Sequence, residues 1–189
     1  IPIAPDSVLE LYNQFDPATF HATYKHDLEL LSRFIDSMNV GLNAASRIDT
    51  LAIDHAIENF GNAARSKRTV FLSSSYFFLF NNPAIVRSVV THEFGHIYFE
   101  KLSDEQKTGL EEIWRSMQSL ALFYVFRDGE YSGNAKFGGH PEETPAELFA
   151  SAFNIFRNKP EELKARLQYV EPQHHALIER LRQIVLGKL

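Results

Sequence analysis

The sequence predicts a mainly α, α+β fold with a small sheet. Most segments space their apolar residues three and four apart, which is typical of amphipathic helices. Residues 68–75 ("RTVFLSSS") instead combine β-branched and aromatic residues before a polar cluster, which favours a strand. With 189 residues and 44% hydrophobic content, the chain can bury a core. We expect a single domain with a helical N-terminal part, residues 1–62, and a core of residues 63–189 that carries the candidate site.

Capping residues and apolar spacing place the helices along the chain. Asp16-Pro17 has the pattern of an N-cap followed by proline at the first helical position, and Gly61 is a fitting helix stop. Residues 127–141, rich in glycine, form a predicted loop. Eight helices are predicted. The first begins near Ser7, the second runs from Pro17 to about Met38, the third covers residues 47–60 and the fourth begins at Pro83. The others run from Ser103 through Leu122, from Thr144-Pro145 through about Arg157, near residues 160–169 and near residues 173–187.

Composition excludes several classes of protein. The net charge is −5 and the sequence shows no basic stripe, so nucleic acid is not an expected partner. No apolar run has the length of a membrane span. Cysteine is absent, so any metal must be held by nitrogen and oxygen ligands. The chain begins at Ile1 rather than Met, which fits a processed, secreted protein, with a cytoplasmic one as the alternative.

The stretch "VVTHEFGHIYFE", residues 89–100, contains the pattern H-E-x-x-H on a predicted helix. Residues four apart lie on the same helical face, so His92 and His96 can present two imidazoles to one metal ion. Glu93 is rotated about 100° from His92, where it can take a proton from an attacking water. The alternative is a chance match on an ordinary helix. Gly95 is unfavourable in mid-helix, which suggests that a strand, a substrate or another helix approaches closely there.

A catalytic zinc site needs a third protein ligand. In the spacing H-E-x-x-H-x-x-G-x-x-H, the glycine position is Phe99 and the third histidine position is Leu102. The third ligand must therefore come from elsewhere. The segment "PEETPAELFASAF", residues 141–153, offers Glu142, Glu143 and Glu147. Glu147 lies inside a predicted helix, which suits a rigid ligand. Glu143 remains an alternative, and Glu147 could instead only complete a capping box.

The pairing of "HEFGH" at 92–96 with "AELFASAF" at 146–153 resembles the catalytic domain of anthrax lethal factor and its relatives, which include the Pro-Pro endopeptidases. The resemblance implies a zincin-like, gluzincin-type metallopeptidase domain with a small sheet against the active-site helix. It also implies zinc bound by His92, His96 and Glu147, with Glu93 as general base, and a protein or peptide as substrate. The alternative function is a catalytically silent metal-binding domain of the same fold that regulates or binds a partner.

This chain departs from the family pattern at two positions. Ser151 stands where the family has a glutamate that orients a histidine ligand, and His140 stands where it has a tyrosine that stabilises the oxyanion. His140 and Tyr131, and less readily Tyr124, are therefore the candidate oxyanion donors. The strand at 69–75 is expected to be either an exposed edge that pairs with an extended substrate or an ordinary buried strand. Oligomeric state has no sequence signal.

Overall fold

The computed structural model describes residues 9–11, 17–43, 47–54, 61–64, 68–73, 83–127 and 139–187. The chain divides into two compact units, Ile1–Glu93 and Phe94–Leu189. Helices dominate the described residues and a four-stranded sheet accompanies them, so the predicted mainly α class is confirmed. Within these ranges, no helix combines the length and the apolar character that a bilayer crossing requires.

The first unit contains the sheet, one long helix and the start of a second. Its elements are β1 (Leu9–Leu11), α1 (Pro17–Asn39), β2 (Thr50–Asp54), β3 (Gly61–Ala64), β4 (Thr69–Ser73) and the beginning of α2 (Pro83–Phe99). The strand order is β1-β2-β4-β3; β1, β2 and β4 are parallel, and β3 runs antiparallel to β4.

Two helix predictions in this unit are wrong where the structure describes them. Residues 50–54, inside the helix predicted over 47–60, form β2, and Gly61 begins β3 rather than ending a helix. Leu9–Leu11, within the helix predicted from Ser7, form β1. Leu51 and Ala52 are consecutive and both fully buried. A strand buried on both faces reads as a continuous apolar run, which spacing does not distinguish from a helix.

The strand predicted at 68–75 is confirmed as β4 (Thr69–Ser73). Of its two expected places, the exposed edge is wrong and the buried strand is confirmed. β4 pairs with β2 on one side and with β3 on the other. Val70 faces Leu51 across one ladder and Ala63 across the other. Its hydrogen-bonding groups are therefore engaged on both sides, and Val70 and Leu72 are fully buried. Among the described strands, β3 and β1 form the edges of the sheet.

Helix α1 is joined to the sheet through its last residue. Leu31, Ile35 and Met38 recur at helical spacing and are buried. The Asn39 side chain donates to the Ile48 carbonyl at 2.7 Å and accepts from the Ile48 amide at 2.9 Å. This pair of hydrogen bonds imitates a strand pairing. It holds the end of α1 against the chain just before β2.

The described residues of the second unit form helices joined by turns and short irregular segments, with no strand among them. The division between the units falls within α2, which has the predicted start at Pro83. The apolar faces of the central helices bury the core, including Leu110, Ile113 and Leu181. The remaining elements are α3 (Asp104–Ser119), a 3-10 turn (Leu122–Phe126), α4 (Pro145–Asn158), α5 (Pro160–Leu167), a 3-10 turn (Pro172–His174) and α6 (His175–Leu186).

Helix α3 begins as the sequence predicts and ends earlier. The Ser103 side chain accepts from the Gln106 amide at 3.3 Å, and the Gln106 side chain accepts from the Ser103 amide at 2.9 Å. This capping box satisfies two backbone N–H groups at the helix start. The predicted end at Leu122 is wrong, because Ala121 adopts a left-handed conformation with φ 53° and the chain continues as a 3-10 turn.

Candidate metal centre

Helix α2 presents the two histidines of the H-E-x-x-H pattern. Phe94 and Ile97 are buried, which fixes the rotation of the helix about its axis. His92 and His96 lie one turn apart and are both partly exposed, with the His96 side chain 15% accessible. The helix therefore holds both imidazoles at the edge of the core, where their ring nitrogens can bind an ion without a rearrangement of the backbone.

Helix α4 supplies Glu147 through its predicted cap. Thr144 has extended backbone geometry, and its side chain accepts from the Glu147 amide at 3.1 Å, while Pro145 occupies the first turn. The cap fixes where the helix begins, so Glu147 lies in a rigid first turn. Only the backbone of Glu147 takes part in this bond. The cap bond therefore does not use the Glu147 carboxylate.

His92, His96 and Glu147 come together in the structure. One ligand atom from each of the three side chains lies within 4.8 Å of the other two. Glu147 Oε1 is 3.3 Å from His96 Nε2, and the Glu147 side chain is 24% exposed. That spacing is long for a charge-assisted hydrogen bond, typically about 2.7–2.9 Å. It matches the separation of about 3.3–3.4 Å between two ligand atoms that share a tetrahedral zinc ion at about 2.0–2.1 Å.

A close helix contact underlies this cluster. A Cβ atom placed on Gly95 would lie 2.5 Å from Ala150 Cα, 3.1 Å from its Cβ and 3.2 Å from its carbonyl oxygen. The approach that the mid-helix glycine suggested is therefore made by another helix, α4. Ala150, the other half of the contact, was not among the residues predicted from the sequence. Its signal was a small residue three positions after Glu147, within a helix otherwise rich in phenylalanine.

An aromatic layer extends the contact between these two helices. Tyr98 stacks on Phe153 with ring centroids 5.0 Å apart, and Phe99 meets Phe149 edge to face at 5.9 Å. The Arg157 guanidinium lies over the Phe153 ring at 4.9 Å. Burial raises the pKa of the Tyr98 phenol above its ordinary value, and Arg157 partly opposes that shift. Tyr98 is therefore neutral and serves as part of the packing that supports the site.

Glu93 is a buried carboxylate next to this cluster in sequence. Only 7% of the residue is accessible, which is uncommon for glutamate because removing a charge from water is costly. Neighbouring Phe94 and Gly95 are buried as well. A carboxylate held in such surroundings beside potential metal ligands is a candidate for acid–base chemistry.

The other two candidate glutamates lie outside the cluster. Glu142 pairs with Arg127 at 3.2 Å. The Glu143 side chain is 61% exposed, and its Oε1 lies 3.7 Å from His140 Nδ1. Among the described residues, Glu147 is therefore the glutamate that the fold brings to the two histidines. Since Glu142 and Glu143 precede the helix, the cap separates them from the ligand turn.

The structure does not bring the described candidate oxyanion donors, His140 and Tyr124, into the metal-ligand cluster. His140 is 45% exposed along its side chain, contacts Glu143 and does not belong to the metal-ligand cluster of the described chain. The Tyr124 hydroxyl donates to the Tyr169 carbonyl at 3.4 Å, which occupies it elsewhere. Tyr131 lies outside the described residues, as does most of the loop predicted over 127–141. The donor role of His140 and Tyr131 stays a prediction.

The segment that leads into α4 is anchored by side chains of the same unit. Trp114 Nε1 donates to the Pro141 carbonyl at 3.0 Å. Arg166 Nη1 donates to the Val125 carbonyl at 2.9 Å and to the Arg127 carbonyl at 2.7 Å. These bonds fix both the residues before the glycine-rich stretch and those after it. The approach to the Thr144 cap is thus held in place by the protein's own packing.

Ser151 is fully buried one helical turn after Glu147, and among the described residues its hydroxyl has no hydrogen-bond partner. Glu147 and Ala150 of the same helix both contact α2. Positions three and four apart share a helical face, so Ser151 lies on that face too. Ser151 therefore supplies a hydroxyl that orients no described residue, at the position where the lethal factor family, which the two motifs resemble, has a carboxylate.

Replacing Ser151 by alanine should stabilise the protein in the presence of a chelator. A buried polar group without a partner costs about 1–3 kcal/mol, and alanine removes it without a change of shape that the helix must absorb. Ser116→Ala is the control, because Ser116 lies in α3 and donates to the Glu112 carbonyl at 2.8 Å. Both changes gain similar helix propensity. Denaturant unfolding should show the larger gain for Ser151→Ala; a net loss would mean that the hydroxyl is bonded in solution.

Comparison with known proteins finds no matching family model, no matching curated protein and no matching solved structure. The resemblance to the lethal factor catalytic domain therefore rests on the two motifs. The geometry of the cluster is a separate observation that does not depend on that resemblance. Two imidazole nitrogens and a carboxylate oxygen form a donor set that suits zinc, which accepts nitrogen and oxygen ligands in catalytic sites. The residues present fit such an ion.

Proposed function

We propose that the protein is a zinc-dependent endopeptidase of the gluzincin type. The observation that carries the proposal is the convergence of His92, His96 and Glu147, with ligand atoms within 4.8 Å of one another. Three protein ligands are the number that a catalytic zinc site uses while it keeps a position for water or substrate. The choice of peptides as substrates is supported by the resemblance of the two motifs to lethal factor and its relatives.

Three side chains would hold the ion in this mechanism, and Glu93 moves the proton. His92, His96 and Glu147 would hold a zinc ion, which would supply the Lewis acidity that lowers the pKa of a bound water to about 7 and polarises a carbonyl. Glu93 takes a proton from a water molecule as the oxygen of that water attacks the scissile carbonyl carbon. The same carboxylate then delivers that proton to the amide nitrogen as the carbon–nitrogen bond breaks. The products are a carboxylate and an amine.

The proposal requires a donor to the developing oxyanion, and His140 and Tyr131 are the candidates. His140 lies four residues before the Thr144 cap, so a change in the turn that follows it can redirect its ring. Tyr131 offers a hydroxyl from the glycine-rich segment. A donor aimed at the oxyanion contributes about 10²–10³-fold in turnover. His140→Phe and Tyr131→Phe, made one at a time, separate the two candidates. The donor is the residue whose substitution lowers turnover and leaves the metal content unchanged.

Metal analysis and peptide cleavage test the proposal together. Purified protein should contain close to one zinc ion per chain and should cleave members of a random peptide library at internal bonds. A strong chelator should abolish cleavage because the free ligands cannot activate water, and added zinc should restore it. Mass spectrometry of the products measures both outcomes. A protein that binds zinc in stoichiometric amount and cleaves no peptide would contradict the endopeptidase assignment.

That same result would support a second candidate, a metal-binding regulatory or partner-binding domain without catalysis. His140 favours it, because the residue stands where the family has its tyrosine and its ring contacts exposed Glu143 at 3.7 Å rather than the cluster. The buried Ser151 hydroxyl favours it as well, since it supplies no carboxylate to orient a histidine ligand.

A further inference from the structure

We propose that Gly95 is a positioning residue that sets the reach of Glu147 to the metal. This inference rests on the proposed function and concerns how the ligand set is assembled. Gly95 directly precedes His96, and Ala150 lies three residues after Glu147 on the same helical face. The point at which the two helices touch is therefore flanked on each helix by a metal ligand.

The contact leaves no room for a side chain. The nearest atom to a Cβ on Gly95 is the Ala150 Cα at 2.5 Å, a backbone atom that no rotamer change can move. Relief to an ordinary carbon–carbon separation of about 3.5–4.0 Å needs a displacement of roughly 1 Å between the helices. Metal–ligand distances tolerate only about 0.2 Å. Any side chain at residue 95 is therefore expected to withdraw the Glu147 carboxylate from the ion.

The surrounding packing prevents α4 from compensating by a simple shift. Residues Leu148–Ile155 are all buried, and Phe149 and Phe153 pack on aromatic rings of α2. Thr144 caps the start of α4 through the Glu147 amide. The helix is thus held at its start and along its middle, so the spacing at Gly95 is transmitted to the ligand turn.

Gly95→Ala tests this role, with Gly109→Ala as the matched control. Gly109 is also helical, but a Cβ there would meet its nearest neighbours, Arg180 and Ile184, at 3.6 and 3.7 Å, which is ordinary contact. Both changes bring the same gain in helix propensity. We expect Gly95→Ala to raise the Kd for zinc about 10- to 100-fold, as for other changes around a metal site, while Gly109→Ala leaves the Kd unchanged.

Cobalt substitution gives a readout that general destabilisation does not reproduce. The visible absorption of bound Co²⁺ depends on the number and geometry of its ligands. We expect the spectrum of Gly95→Ala to move toward that of Glu147→Ala, and the spectrum of Gly109→Ala to match the wild type. Far-UV circular dichroism establishes that each variant is folded. A wild-type Kd and cobalt spectrum in folded Gly95→Ala would overturn the positioning role.

Glu147→Asp keeps the inference testable if Gly95→Ala does not fold. Glu147 is partly exposed, so the change is not expected to disturb the core. It withdraws the carboxylate by one carbon–carbon bond, about 1.5 Å. If the contact at Gly95 fixes the spacing between α2 and α4, α4 cannot move toward the ion to compensate for the shorter side chain, and the affinity for zinc falls. Unchanged affinity would mean that the helices adjust freely and would contradict the inference. Wild-type protein that binds no zinc would overturn the proposed function and this inference with it.

Discussion

Glu93→Gln should lose nearly all peptide hydrolysis and keep its zinc. Glutamine has the size of glutamate but cannot accept a proton from water, and general base catalysis contributes about 10²–10⁴-fold to turnover. Because residue 93 is only 7% exposed, an isosteric change avoids the cavity that alanine would leave. The measurement is kcat/KM on a cleavable peptide from the library, with metal content determined on the same preparation.

Glu100→Gln is the control for the loss of a carboxylate near this helix. Glu100 follows α2 directly, its side chain is 44% exposed, and it lies 4.0 Å from Lys107. Exposed ion pairs contribute little, so this variant should keep both activity and stability. Hydrolysis by Glu93→Gln at the wild-type rate would remove Glu93 as the base, whereas loss of zinc together with activity would point to a structural role.

Glu147→Ala should release zinc from the protein, and Glu143→Ala should not. Removing a direct ligand leaves two histidines, and the loss of affinity should exceed the 10- to 100-fold typical of groups that only support a ligand. Glu143 is 61% exposed and lies outside the cluster. Equilibrium competition with a chromophoric chelator measures the Kd for zinc in each variant.

The cap of α4 makes this pair of variants informative. Thr144 accepts from the backbone amide of residue 147, and alanine retains that amide. Glu147→Ala should therefore change the free energy of unfolding of chelator-treated protein little, so a loss of zinc cannot be ascribed to an unfolded helix. If Glu143→Ala loses zinc and Glu147→Ala keeps it, the ligand assignment is reversed.

The features predicted correctly are those with a local signal. The starts of α2, α3 and α4 follow from Pro83, Ser103 and Thr144-Pro145, because a helix-starting proline and a side-chain cap both act within a few residues of the chain. The shared face of His92 and His96 likewise follows from the pitch of one helix. Each of these depends on chain neighbours alone, and the sequence shows them directly.

The features that were missed depend on distant partners. Residues 50–54 pair with β1 and β4, and no residue near them in the chain reveals those partners. The place of β4 inside the sheet depends on β3, a strand of small residues with little pattern of its own. Gly95 is unusual in mid-helix, but only the fold shows which helix packs against it. Glu147 was singled out among three glutamates, and tertiary structure is what separates it from Glu142 and Glu143.

The hydrogen bond from Trp114 to Pro141 has a practical consequence. Trp114 is the single tryptophan of the chain, and its indole N–H is bonded to the carbonyl three residues before Thr144. Its ring also lies 6.0 Å from Phe123. The tryptophan fluorescence of the protein therefore comes from one indole, which lies beside the turn that leads to Glu147. The molecule carries its own optical reporter for events at the start of that helix, with no label required.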